Sequence, residues 1–173
     1  IAYLAFKGHP NALNKLADTG ALDLTKDEFI TIEQNHPYTL RFIASTASKG
    51  YPAALNKLAD MGALDLTKGE FIAINNSAPD TLYWIASAAS KGHPLALNRL
   101  TDMGALDLTK DEFIAITNSA PSTFLWIAGA ADQGHPLALN RLADIGALDF
   151  TKDEFITIEQ NNPYNPYTLR FIA

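Results

Sequence analysis

Asn14, Asn56, Asn98 and Asn140 stand 42 residues apart, and each is followed by a base: Lys15, Lys57, Arg99 and Arg141. An amide both donates and accepts hydrogen bonds, so such a ladder can pair with the backbone of an extended peptide. The plainer alternative is a solvated face, on which Asn, Lys or Arg and the nearby Asp18, Asp60, Asp102 and Asp144 make local pairs. His9, His93 and His135 also share one position of the repeat, with Tyr51 in the remaining copy, while His36 stands apart. Packed helices lie ~10 Å apart and zinc–imidazole bonds are ~2 Å. The three are therefore read as turn or cap histidines, and neither a metal nor a cofactor is expected. Asp111 and Glu112 belong to a helix start rather than to an acid–base pair. No phosphate loop, nucleophile elbow or calcium loop occurs, so no enzymatic activity is expected.

The positions of these residues are set by one recurring unit. The pattern G-[HY]-P-x-A-L-N-[KR]-L-x-D-x-G-A-L-D-[LF]-T-K-x-E-F-I opens at Gly8, Gly50, Gly92 and Gly134. A fixed period of this size marks a stacked-repeat array, whose units bury a core only against their neighbours. The partition is a partial unit 1–7 followed by units 8–49, 50–91, 92–133 and 134–173, read as one continuous array and a piece of a longer one. In the third unit, Pro94 to Met103 reads as a first helix, with Ala96, Leu97, Leu100 and Met103 on one face and Asn98 and Asp102 opposite. Gly104 suits the left-handed residue that ends it. Thr109 and Glu112 form a capping box that opens a second helix, repeated at Thr25/Glu28, Thr67/Glu70 and Thr151/Glu154. Leu108 and Phe113 are placed to staple its start. Pro121 opens a third helix, which ends near Gln133; its equivalent in the second unit, Asp80 to Lys91, is apolar over most of its circumference and so is packed on several sides. No segment alternates with period two. The expected fold is all-α: a right-handed solenoid of four stacked 42-residue, three-helix units.

The 13 basic and 19 acidic residues among 173 give a charge of −6, which favours solubility and weakens a nucleic-acid role. No apolar run approaches the ~18 residues of a membrane span, so no membrane contact is expected. The absence of cysteine fits a reducing compartment, and an intracellular setting is expected.

Comparing the copies separates scaffold from variation. The first helix and the capping box scarcely change. Glu33-Gln34-Asn35-His36 becomes Asn75-Asn76-Ser77-Ala78, then Thr117-Asn118-Ser119-Ala120, then Glu159-Gln160-Asn161-Asn162. Along the third helix, the stripe Arg41/Ser45, Tyr83/Ser87, Leu125/Gly129 and Arg170 also varies. It is expected to face outward and line a groove for a protein or peptide partner, with the asparagine ladder beside it. Tyrosine and arginine are typical anchors at such surfaces.

Trp126-Ile127-Ala128-Gly129-Ala130-Ala131-Asp132-Gln133-Gly134-His135, continuing to Ala138 and Leu142, resembles the Sel1-type relative of the tetratricopeptide repeat. The period, the three helices and Gly104-Ala105-Leu106 are similar to armadillo repeats, whose ladder tryptophan Trp84 and Trp126 match. The peptide-clamping asparagine of that family would fall at Thr46, Ala88 and Ala130. Ala89-Ser90-Lys91-Gly92-His93 with Gly104-Ala105 echoes ankyrin spacing. Leu108 to Ile116 resembles the first helix of TAL-effector repeats. That resemblance would place a base-reading pair at Asn35/His36, Ser77/Ala78, Ser119/Ala120 and Asn161/Asn162. The expected function is a protein- or peptide-binding scaffold; the alternative is a modular nucleic-acid binder reading one position per unit.

Overall fold

A computed structural model describes residues 1–162. Among them the chain is all-helical. A short α1 (Ala2–Phe6) precedes three sets of equivalent helices. The first helices are α2 (Asn11–Asp18), α5 (Ala53–Asp60), α8 (Leu95–Asp102) and α11 (Leu137–Asp144). The second helices are α3 (Lys26–Asn35), α6 (Lys68–Ser77), α9 (Lys110–Ser119) and α12 (Lys152–Asn161). The third helices are α4 (Thr39–Ser48), α7 (Thr81–Ser90) and α10 (Thr123–Asp132). No helix among the described residues is long and apolar enough to cross a membrane.

The local signals explain these boundaries. All four capping boxes form. At the third, the Glu112 amide donates to Thr109 Oγ1 at 3.2 Å and the Thr109 amide donates to Glu112 Oε2 at 2.8 Å. Two otherwise orphaned helix-start donors are thus satisfied within four residues. Gly104 lies at φ 76°, which lets the Ala105 amide turn back to the Leu100 carbonyl at 2.9 Å and close α8. Leu108 and Phe113 are both buried.

The first helices and the third helices pack on their equivalents in adjoining units, and each third helix also packs on the second helix before it and the first helix after it. The third helices stack directly upon one another and hold the centre of the core. Their small side chains allow this: Ala86, Ala88 and Ala89 are all fully buried. The first helices stack beside them and contribute Leu55, Leu58, Leu97 and Leu100. Met103, expected on this buried face, is instead exposed, because it caps α8 beyond the last buried turn. The second helices insert Phe29, Phe71 and Phe113.

Charged residues tie one unit to the next. Lys57, Arg99 and Arg141 pair with Asp23, Asp65 and Asp107 of the preceding unit at 2.7, 2.5 and 2.6 Å. Lys26, Lys68 and Lys110 pair with Glu70, Glu112 and Glu154 of the following unit at 3.3, 3.2 and 3.1 Å. Three of the four bases beside the asparagine ladder, Lys57, Arg99 and Arg141, therefore form their ion pairs across units rather than with the local Asp60, Asp102 and Asp144. The Lys91 ammonium also donates to the Ser48 carbonyl at 3.0 Å, at the negative end of α4.

Gly129 tests how tightly the third helices approach. A Cβ added there meets the Ser90 Cβ at 3.4 Å, an ordinary contact, and the equivalent positions are Ser45 and Ser87. Alanine in a helix interior is favoured over glycine by up to ~1 kcal/mol. Gly129→Ala is expected to raise the thermal midpoint modestly; a lower midpoint would mean that α7 and α10 cannot accept the methyl.

Candidate functional site

The stripe on the third helices does not face outward. Ser45, Ser87 and Leu125 are buried. Ser87 Oγ shares a hydrogen bond with Ser48 Oγ of the preceding unit at 2.9 Å. Tyr83 meets the Trp126 ring of the next unit edge-on, with centroids 6.2 Å apart. The Arg41 guanidinium bonds both carboxylate oxygens of Asp80 at 2.5 and 2.8 Å, and lies over the Phe42 ring at 5.3 Å. Burial pushes the Asp80 carboxyl up, but Arg41 and the Trp84 indole outweigh it and hold the group below its ordinary range. The physical reason for the correction is size. A serine in an alanine-rich helix is small enough to be covered: Ser87 Oγ bonds the Ser48 hydroxyl, and Ser45 Oγ is enclosed with no hydrogen-bond partner among the described residues. The stripe is therefore contact surface between units. Arg170 lies outside the described residues.

The asparagine ladder is half-buried at Asn14, Asn56 and Asn98 and exposed at Asn140, which has no described first helix beyond it. The Oδ1 atoms of the first three are enclosed, with no hydrogen-bond donor among the described residues. The base-reading positions implied by the TAL-effector resemblance also divide. Asn35, His36, Ser77, Ser119 and Asn161 are exposed, whereas Ala78, Ala120 and Asn162 are buried.

The concave surface recurring along the chain lies between successive second helices. Ile30, Glu33 and Gln34 of α3 face Glu70, Ala73, Ile74 and Ser77 of α6 around a cavity of about 180 Å³. The same positions, Ile72, Asn75 and Asn76 facing Glu112, Ala115, Ile116 and Ser119, line about 300 Å³ between α6 and α9. The floor is apolar: Ile74 and Ile116 are almost wholly buried. One end is closed by the Lys26–Glu70 or Lys68–Glu112 pair. Both glutamates are held below the ordinary range, first by the cap amide of Thr67 or Thr109 and then by the lysine. The walls carry the small, exposed Ala73 and Ala115.

At the other end sits the residue pair that differs between copies, Glu33/Gln34 or Asn75/Asn76. Its buried member also has a structural task. Glu33 Oε1 accepts from the Leu40 amide, and Asn75 Oδ1 accepts from the Leu82 amide at 3.1 Å, each capping the start of a third helix. Thr117 is too short for this, and its hydroxyl donates to the Ile114 carbonyl at 3.0 Å. Burial pushes the Glu33 carboxyl up to about 7. Among the described residues no cluster of His, Asp and Glu is placed to hold a metal ion. The variation along the second helices is visible in the sequence; that these helices stand apart enough to leave a groove is not. In comparison with known proteins, the chain matches no family model, no curated protein and no solved structure.

Proposed function

We propose that the chain is a right-handed solenoid of four 42-residue units, one continuous array of the Sel1- or armadillo-like kind, and that it binds an extended segment of a protein partner along its second helices. The observation that carries the reading is the recurrence of one groove between successive units, with residues that differ between copies at its mouth. Its volumes, about 180 and 300 Å³, lie at or below the lower end of the ~300–1,000 Å³ typical of small-molecule sites, and each can take a single side chain. The stacked third helices pack at ~8–10 Å, which sets the least step between successive grooves. A polyproline-type segment presents one face every three residues, ~9 Å along its axis. Such a partner would seat a small apolar side chain in each groove, against Ile74 and Ile116, while Gln34 and Asn76 bond its backbone. The invariant scaffold would then serve spacing, and the variable pair selection. The asparagine ladder, at the edge of the first helices, is a secondary contact in this reading. The acidic surface argues against nucleic acid.

Ala73→Arg and Ala115→Arg fill the grooves from exposed positions, so folding should survive. Binding of peptides with an apolar residue every third position, followed by fluorescence anisotropy, is expected to fall at least tenfold, about 1.4 kcal/mol, with either variant. Peptides with the same composition and a scrambled period should bind weakly to the unaltered chain. The reading fails if both variants bind as before. It also fails if a short duplex binds at physiological salt and changes at Asn35/His36 abolish that binding.

A further inference from the structure

We propose that the ends of the first helices form a second docking surface, which takes a basic, extended segment of a protein partner with one Lys or Arg side chain per unit. Each first helix among the described residues finishes on an aspartate: Asp18, Asp60, Asp102 and Asp144 close α2, α5, α8 and α11. A carboxylate there sits at the negative end of the helix dipole, where it destabilises. Among the described residues no ion pair relieves Asp60, Asp102 or Asp144. Arg99 and Arg141, three residues earlier, feel Asp102 and Asp144, but their hydrogen bonds go to Asp65 and Asp107 of the preceding unit. A base that precedes an acid is also the less favourable order on a helix. Each of these units therefore presents an acid at the helix end that its own base leaves unpaired. Folding gives no reason for that acid, whereas a cation from outside the chain does.

Beside these carboxylates lies apolar surface that the core does not use. Between α8 and α11 a cavity of about 480 Å³ is walled by Asp102, Met103, Asp107, Leu137, Arg141 and Asp144. Met103 and Leu137 are 43% and 39% exposed. One unit earlier Met61 and Leu95 are 43% and 37% exposed, although α8 has a first helix packed on either side. The open apolar surface thus belongs to the interior of the array. A Lys or Arg stem laid over Met103 and Leu137 keeps its charged head free for Asp102 or Asp144. Asn140, on the same wall, offers its amide to the backbone of the segment. The first helices stack on one another, and packed helices lie ~8–10 Å apart. Three residues of a polyproline-type chain cover ~9 Å, so a base at every third position meets Asp60, Asp102 and Asp144 in turn. The chemistry differs from that of the grooves between second helices, whose floors are apolar and whose glutamates already pair with lysines.

Fluorescence anisotropy of a labelled peptide, with lysine at every third position and serine between, tests this on the 173-residue chain. The expected result is binding that weakens as salt is added, because salt screens exposed charges. A peptide of the same composition with its lysines clustered should bind severalfold less tightly. Asp102→Asn is expected to weaken binding severalfold, and Asp60→Asn in the same chain to weaken it further. Ala115→Arg, on a second helix, makes the same change in net charge and should leave this binding as it was, which separates the surface from the grooves. Asp102→Asn also removes a charge from the unfavourable end of α8, so its thermal midpoint should hold or rise. The proposal is overturned if the peptide does not bind, if the clustered peptide binds equally well, or if Ala115→Arg weakens binding as much as Asp102→Asn. A lowered midpoint for Asp102→Asn would assign the aspartate to folding and overturn it too.

Discussion

Leu100→Ala is expected to lower the unfolding free energy by ~2–5 kcal/mol, the range for opening a cavity in a packed core. Leu100 is fully buried, and its carbonyl receives the Ala105 amide at 2.9 Å, so the end of α8 is pinned and cannot close around the lost methyls. It also lies on α8, which packs on α5, α7 and α11. Its loss should therefore weaken the coupling of the two halves as well as the unit itself. Thr109→Ala removes one half of a capping box and should cost ~1 kcal/mol. Leu16→Ala supplies an internal control. It is the same substitution at the same position of the unit, but Leu16 borders a cavity at the first-unit end and is only half-buried. Urea melts should rank Leu100→Ala as the most damaging, with Leu16→Ala well below it. A Leu16→Ala cost equal to that of Leu100→Ala would mean that the end cavity is closed in solution. A Thr109→Ala cost above both would mean that the buried face of α8 is wrongly assigned.

What the sequence discloses most clearly is whatever is decided within a few residues. Thr109 and Glu112 specify a helix start by their own hydrogen bonds, and Gly104 specifies a helix end by its backbone freedom. All four second helices consequently begin where the capping boxes place them. Contacts between units are less legible because the partners are far apart in the chain. Arg99 finds Asp65, 34 residues back, and Lys68 finds Glu112, 44 residues on. Their spacing carries no local signature, so the bases next to the asparagines read as a solvated face with local pairs. The period itself nevertheless holds the clue, since a charge invariant in every copy can pair with the next copy as readily as with its own.

The third-helix stripe misleads for a related reason. Polarity suggests exposure, but Ser45 and Ser87 sit where α4, α7 and α10 press together, and only small residues fit there. Arg41 and Tyr83 are large and lie at the edge of the same seam, engaged with Asp80 and Trp126 of the following units. Variation at these positions reflects pairwise matching between neighbours. Variation at Glu33/Gln34 and Asn75/Asn76 is different, because it borders a cavity as well as a helix start.

Glu33→Gln is expected to stabilise the protein at pH 8 and to change little near pH 4.5. The Glu33 carboxyl is buried beneath the start of α4, and burial raises it from its ordinary 4.5 to about 7. A raised carboxyl means that the native state binds a proton that the unfolded chain has already released, throughout the interval from pH 4.5 to 7. Stability therefore falls as pH rises through that interval. Above it the folded protein carries the full cost of a buried charge, up to ~3 kcal/mol, since each tenfold change in proton affinity corresponds to ~1.4 kcal/mol. Below pH 4.5 both states hold the proton and the cost vanishes. Glutamine keeps the oxygen that accepts the Leu40 amide and carries no charge, much as Asn75 does for Leu82 in the next unit. Glu70 and Asp80, held low by their partners, act in the opposite direction and lose their contribution as pH falls. The difference between variant and unaltered chain at each pH cancels them. Guanidinium melts from pH 4.5 to 8 should show that difference growing steadily in favour of glutamine. A difference that stays flat across the range would show that Glu33 is hydrated and ordinary in solution, and that its hydrogen bond to Leu40 is made by an unburdened carboxylate.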